Sequence, residues 1–452
     1  MIRKSLERAL ILFLGEGSFR KVLQNAGILL SAELVNAILN LVQAIIITRA
    51  LGTRQYGILV LVMTYAILVN QLAESRVWET GTRYITQFYE KQQFQHATAV
   101  LHLAYLIDTV TALLAFMVLM LSAGFAADLL AKDTSTTYLF RLFSVSVLVN
   151  IFYGSSAALL RVADRFKWLS YHTVGVSVLR TVAVLIVALI GATIENMILA
   201  LLFALIVRNV TVFALAYLAG KQMHLDFTTL SFGLLRGHLR EILSFTLFTN
   251  LSATSRLIQS RADILILGWL GTPAAVAVYE LAKRLVEQLT IFANPLYTSV
   301  YPEFALLVTK GEFEAVRHLR RRLSTSLMAV VIAACIGASI GAIWIIPLLF
   351  GKDYHDSIRI FQIQVWQLLW ITVIWFQGWM LSLGRSKMLA AALWAYTIVF
   401  IILLLILVPA YMAVGAAIAT VLGIIAWVTI ALIVTMYLDN KGWYNTLASP
   451  VQ

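Results

Sequence analysis

The sequence predicts an all-α polytopic membrane protein, with about 12 transmembrane helices in two pseudo-symmetric six-helix halves. Three observations predict it. The chain has 452 residues, of which 61% are hydrophobic and only 12% charged, against roughly 25% charged residues in soluble domains. Its apolar residues gather into stretches of spanning length, since about 20 residues cross a hydrocarbon core. Short motifs also recur at a spacing of 219 or 220 residues. The stretches are apolar all round, whereas spanning strands alternate, so a barrel is excluded.

The segment 1–25 comes first. Ile2, Leu6, Leu10 and Phe13 recur at helical spacing among Arg3, Lys4, Glu7 and Arg8, which predicts an amphipathic helix on the cytoplasmic membrane surface. The apolar run Ala9–Leu14 is short and no small-residue cleavage pattern follows, so no signal peptide is expected. Spans are then placed near 26–48, 58–78, 97–121, 139–162, 170–191, 194–219, 241–267, 273–300, 323–349, 358–383, 386–408 and 411–438.

Twelve crossings return the chain to its starting side. With the N-terminus inside, cytoplasmic segments hold twenty-two Lys and Arg and the other face only six. That asymmetry places both termini in the cytoplasm, in an inner membrane. It also accounts for the net charge of +12, so no nucleic-acid partner is expected. The basic stretch Lys310–Arg322 is expected to be a surface helix, meeting anionic head groups or simply anchoring topology. Cys335 is the only cysteine, which excludes an internal disulfide and a thiolate metal cluster.

The repeat organises the chain. Leu51-Gly52-Thr53 recurs as Leu270-Gly271-Thr272, and Lys91 and Phe94 recur as Lys310 and Phe313, both at an offset of 219. Lys132-Asp133 recurs as Lys352-Asp353 at 220. The expected domains are six-helix halves over 26–219 and 241–438, a cytoplasmic linker 220–240 and a tail 439–452. Paired halves with a substrate site at their interface are a transporter architecture.

Ionisable residues within spans cost about 2.5–3.5 kcal/mol on insertion scales and mark functional sites by default. In the seventh span Thr249, Ser252, Arg256, Gln259 and Asp263 share one helical face. In the first, Glu33, Asn36, Asn40 and Gln43 do the same. These stripes predict a hydrophilic cavity, or helices held together by hydrogen bonds. In the eighth span Glu280–Arg284 and Lys283–Glu287 have the spacing of self-satisfying pairs. Arg180 and Arg208 have no acid within four residues, so an anionic substrate, Asp108 or Glu33 is the expected partner. The candidate cavity residues are therefore Arg180, Arg208, Arg256, Gln259, Asp263, Glu33, Asn36, Asn40, Gln43, Lys283 and Glu287.

No catalytic residue, metal site or cofactor is expected. The seven histidines form no HExxH pair, and the chain has neither a P-loop nor a Gly-x-Ser-x-Gly elbow.

The segment Thr48-Arg49-Ala50-Leu51-Gly52-Thr53-Arg54-Gln55-Tyr56-Gly57 resembles the hallmark of the polysaccharide biosynthesis (Wzx-type) flippases. So do Asp263-Ile264-Leu265-Ile266-Leu267-Gly268, Val278-Tyr279-Glu280-Leu281-Ala282, Tyr301-Pro302 and Lys310-Gly311-Glu312-Phe313. Ala277 departs from the glycine usual before x-Tyr. The resemblance implies the multidrug/oligosaccharidyl-lipid/polysaccharide exporter fold, with a cationic cavity between two lobes. It implies movement of an undecaprenyl-pyrophosphate-linked glycan by alternating access, with Arg180, Arg208 and Arg256 as candidates to hold pyrophosphate or acidic sugars. Membrane lipids, a coupling H+ or Na+ at Asp263 or Glu33, and a polymerase or glycosyltransferases are the further partners implied. The alternatives are a multidrug exporter of the same superfamily, a membrane-embedded polymerase, and a scaffold for glycan assembly. The excess of mid-span arginine disfavours the first, and short outer loops disfavour the second.

Overall fold

The computed structural model describes residues 16–74, 77–227, 232–235, 237 and 239–440. The N-terminal surface helix expected over Ile2–Phe13 and the tail beyond 440 lie outside these residues. In order, the helices are α1 (Glu16–Ala73), α2 (Val77–Glu90), α3 (Phe94–Ala126), α4 (Thr137–Val149), α5 (Tyr153–Val162), α6 (Phe166–Ile190) and α7 (Ile194–Gln222). They continue as α8 (Leu239–Leu270), α9 (Pro273–Thr290), α10 (Asn294–Thr309), α11 (Phe313–Phe350), α12 (Asp356–Gln364), α13 (Trp375–Ser382) and α14 (Ser386–Asn440). No strand occurs among the described residues.

Eight helical stretches among the described residues are long and apolar enough to cross a membrane. Two are double. Ser31–Ala73 has 43 residues, about twice what one crossing needs, and it breaks at Gly52, where φ is 69°. Glycine adopts that left-handed conformation without steric cost. Ser386–Asn440 has 55 residues and breaks at Met412, where φ is 53°. Beyond the break the chain folds back, since Tyr396 meets Trp427 with ring centroids 5.8 Å apart. α8, and α9 with α10, are also of spanning length, but charged residues lower their hydropathy. The described residues thus supply twelve crossings, as the sequence predicts.

Helix boundaries repeat as the motifs do. Phe94 and Phe313 open α3 and α11, and Glu90 and Thr309 close α2 and α10, both pairs 219 apart. Val162 and Ser382 close α5 and α13, 220 apart. Next to Gly271, the equivalent of Gly52, Thr272 caps α9 by accepting from the Ala275 amide, with Pro273 in the first turn.

One helix lies outside the expected spans and one expectation is corrected. Between the second and third spans runs the amphipathic helix α2. It buries Thr80, Tyr84, Ile85 and Phe88, which share one helical face, against Leu101, Leu159 and Val212. The Lys310–Arg322 stretch is not a separate surface helix, because from Phe313 it is the first part of the long α11. Arg320 is only 4% exposed. It donates to both carboxylate oxygens of Asp439, at 3.0 and 2.8 Å, and lies 4.3 Å over the Trp379 ring. Its charge is thus taken up inside the protein, while Arg321 and Arg322 are exposed.

The chain forms two compact units. The first holds residues up to Ile47, Val69–Ser122 and Arg141–Leu251, and the second holds Thr48–Leu68, Ala123–Phe140 and the chain from Ser252. In the second unit, the second arm of α1 packs against the start of α9 at Gly57. A Cβ there would lie 1.8 Å from the Pro273 carbonyl oxygen. Leu61 similarly sits on Gly268, where a Cβ would lie 2.4 Å from a Leu61 methyl. Arg49 donates to the Leu348 and Leu349 carbonyls at 2.6 and 2.7 Å, near the end of α11. Lys132 donates to the Trp269 carbonyl at 2.6 Å, near the end of α8.

Gly57→Ala is expected to destabilise the detergent-solubilised protein by about 1–3 kcal/mol through overpacking, read as a lower Tm. Gly175→Ala is the control. Nothing lies within 4 Å of a Cβ there, and alanine in a helix gains about 0.5–1 kcal/mol over glycine.

Candidate functional site

In the first unit, the polar stripe of α1 meets α6. Gln43 is buried and donates to the Thr181 hydroxyl at 2.8 Å and the Ser177 carbonyl at 3.3 Å. Arg180 donates to the Asn40 side-chain oxygen. The Asn36 side-chain oxygen is buried without a hydrogen-bond partner. Glu33, at the stripe's end, is exposed.

A second polar group lies between α1, α3, α5 and α7. A cavity of about 40 Å³ is lined by Asn70, Glu74, Asp108, Thr111, Asn150 and Tyr153, among others. Asp108 is buried and accepts from the Ser155 hydroxyl at 2.5 Å. Arg208 donates to the Asn150 side-chain oxygen at 2.5 Å and lies 4.3 Å over the Tyr153 ring. Its Nε has no hydrogen-bond partner. Among the described residues, then, an amide and an aromatic face hold this guanidinium, and no carboxylate neutralises it. The acidic partner expected at Asp108 or Glu33 is replaced by Asn150.

The second unit carries the ionic group. Asp263 and Lys283 are 2% and 7% exposed. The Lys283 ammonium donates to Asp263 Oδ1 and Oδ2 at 2.9 and 2.7 Å, and to the Ser260 carbonyl at 2.7 Å. The Tyr279 hydroxyl donates to Asp263 Oδ2 at 2.7 Å and lies 3.0 Å from the Thr420 hydroxyl. Three oxygens thus surround an ammonium that has three hydrogens to give. The expected Lys283–Glu287 pair does not form, because Lys283 turns to α8 and Glu287 is exposed. Glu280 and Arg284 do pair, at 3.3 Å.

The stripe on α8 divides into different roles. Gln259 donates to the Thr397 hydroxyl at 2.7 Å and to Ser255 at 3.1 Å, and Asp263 belongs to the ion pair. Arg256 is exposed. The Thr249 and Ser252 side chains lie outside the described residues. Sequence reasoning missed Thr181, Ser177, Thr397 and Asn150 because isolated hydroxyls and amides in apolar runs are unremarked. Ser177 receives Gln43 through its backbone carbonyl, which no side-chain pattern announces.

Twelve crossings among the described residues, with buried charge at membrane depth, define a multi-pass α-helical membrane protein. The chain belongs to the family described as polysaccharide biosynthesis protein, whose model matches residues 22–308. It is 24% identical over 185 residues to the Haloferax volcanii protein named probable low-salt glycan biosynthesis flippase Agl15, covering 41% of this chain but only 39% of that one. It is 20% identical over 346 residues to the inner membrane protein YghQ of Escherichia coli, covering 76% of this chain and 96% of that one. Among solved structures it is similar to the lipid II flippase MurJ in an inward closed conformation, with TM-score 0.69, 16% identity and 90% and 87% of the two chains covered. It is equally similar to an inward-facing multidrug resistance MATE family transporter, with TM-score 0.69, 15% identity and coverage of 92% and 96%. These structural likenesses establish the fold.

Lys283→Met is expected to cost about 3–5 kcal/mol, because it leaves the Asp263 carboxylate buried and unpaired. Adding Asp263→Asn should restore most of the loss. Thermal unfolding of the single and double variants checks this, and a double variant no more stable than the single would break the argument.

Proposed function

We propose that this protein is a flippase. It carries an undecaprenyl-pyrophosphate-linked oligosaccharide across the inner membrane by alternating access, for the biosynthesis of O-antigen, capsule or exopolysaccharide. The observation that carries the reading is Arg208, a guanidinium held at membrane depth by Asn150 and Tyr153 rather than by a carboxylate. Family membership supports it. Arg is suited to a pyrophosphate because its planar fork donates two parallel hydrogen bonds. Arg180, Arg256 and the amides Asn36, Asn40 and Gln43 complete the candidate polar path, while the polyprenyl tail stays in lipid. Asp263 and Glu33 are the candidates for a coupling ion. Lys283 already supplies the cation at Asp263, so H+ rather than Na+ is the coupling ion proposed there. The membrane supplies the lipid carrier, and a polymerase or glycosyltransferases would work on either side of this step.

Deleting the gene should abolish surface polymer and trap undecaprenyl-linked repeat units on the cytoplasmic leaflet. Arg208→Ala should lower export in complemented cells by about tenfold or more, the worth of a charged hydrogen bond, while Arg208→Lys retains part of it. Normal export by Arg208→Ala would refute the cationic site. Normal polymer after deletion, in a host with no second flippase, favours the multidrug-exporter reading instead.

We also infer that both termini lie in the cytoplasm, on the strength of the basic-residue asymmetry. A fluorescent C-terminal fusion that is inactive as an alkaline phosphatase fusion is the expected result.

A further inference from the structure

The Lys-Asp motif of the repeat has two different fates. In the first half, Asp133 accepts from the Ser135 amide at 3.1 Å and the Ser135 hydroxyl at 2.5 Å, and from Arg54 at 3.5 Å. The Ser135 hydroxyl and amide hold its carboxyl below the ordinary aspartate value. The neighbouring Lys132 is engaged by the Trp269 carbonyl. In the second half, Tyr354 and His355 follow Asp353 where Thr134 and Ser135 follow Asp133, and no cap forms. Among the described residues, Asp353, Asp356 and Arg359 make no side-chain hydrogen bond or ion pair.

These three side chains line one cup in the second unit, of about 400 Å³. That is within the roughly 300–1,000 Å³ of small-ligand sites. Thr53, Tyr411 and the backbone after Met412 line it too. Tyr411 is 59% exposed, so its ring face is available.

We infer that this cup is a saccharide subsite, binding sugar units of the glycan head group. The inference rests on the flippase reading above and deepens it. Two carboxylates accept hydrogen bonds from sugar hydroxyls, Arg359 and Thr53 donate to ring and hydroxyl oxygens, and Tyr411 offers a flat face to the C–H side of a pyranose. Two acids against one arginine disfavour pyrophosphate, so the cup complements Arg208 rather than duplicating it. Its position follows from the helices. The cup lies where the second arm of α14 begins, whereas Asp439 is near that arm's far end. With the C-terminus in the cytoplasm, the cup opens toward the outer face and holds the sugar after it has crossed.

The test uses the full chain in lipid nanodiscs. Cys335 is buried, so Val414→Cys, in the lining of the cup, gives one accessible thiol for a membrane-impermeant maleimide. The probe is the oligosaccharide freed by mild acid from the host's lipid-linked pool, which carries neither lipid nor pyrophosphate. It should slow labelling saturably. Asp353→Asn with Asp356→Asn, or Tyr411→Ala, should weaken that protection about tenfold. Lys352→Ala should leave protection unchanged, and the Asp353→Asn/Asp356→Asn variant should keep the parent Tm because these carboxylates make no hydrogen bond or ion pair among the described residues. Absent protection, or equal protection in the Asp353→Asn/Asp356→Asn variant, overturns the subsite. So does equal protection by calcium chloride alone, which would make the cup a cation site. Export by the wild type, measured in the same host, separates the two readings. Intact export without protection removes only the subsite, whereas no role in export removes the flippase reading itself.

Discussion

Backbone meets backbone where Gly57 lies against the Pro273 carbonyl, and the second unit is built around that approach. Helices in lipid gain little from expelling water, so close packing and hydrogen bonds must hold them. A glycine at this point lets the second arm of α1 reach the first turn of α9. The same end is fastened by Arg49 on the last carbonyls of α11 and Lys132 on those of α8. Cations there meet the negative ends of helix dipoles and carbonyls without intrahelical partners. The conspicuous segment Thr48–Gly57 is therefore architecture, with a break at Gly52, a capping arginine at Arg49 and a contact at Gly57.

Charge is handled differently in the two units. In the first, amides hold the arginines, through Asn40 for Arg180 and Asn150 for Arg208. In the second, Lys283 and Arg320 are closed into ion pairs with Asp263 and Asp439. A buried ion pair is expensive to break but contributes little net stability over a packed apolar alternative. Arg208, held by an amide and an aromatic face, keeps its charge for another anion. The first unit thus holds a buried arginine without a carboxylate, whereas the buried cations of the second are paired.

The fold was legible because hydropathy and the repeat are properties of many residues at once. Twelve apolar stretches and an offset of 219 or 220 in three motifs survive errors at any one position. α2 escaped notice because its apolar residues Tyr84, Ile85 and Phe88 are too few to stand out beside the spans. The site was legible only as a set of residue types. That Glu33, Asn36, Asn40 and Gln43 share a face follows from helical spacing. Which helix faces them does not, so Thr181 and Thr397 could not be named in advance. Lys283 illustrates the same limit. Its spacing to Glu287 favoured a pair within the helix, but a deeper acid on a neighbouring helix won.

Six crossings is an even number, and that has an evolutionary consequence. A six-helix ancestor begins and ends on one face of the membrane. Two copies joined head to tail by gene duplication therefore keep the same orientation, and a short join suffices between them. After such a fusion each copy diverges alone, constrained only where the helices touch. The Leu-Gly-Thr and Lys-Asp motifs persisted in both copies, whereas Asp133 has a serine cap and Asp353 does not. One inherited motif is thus closed in the first half and left open in the second.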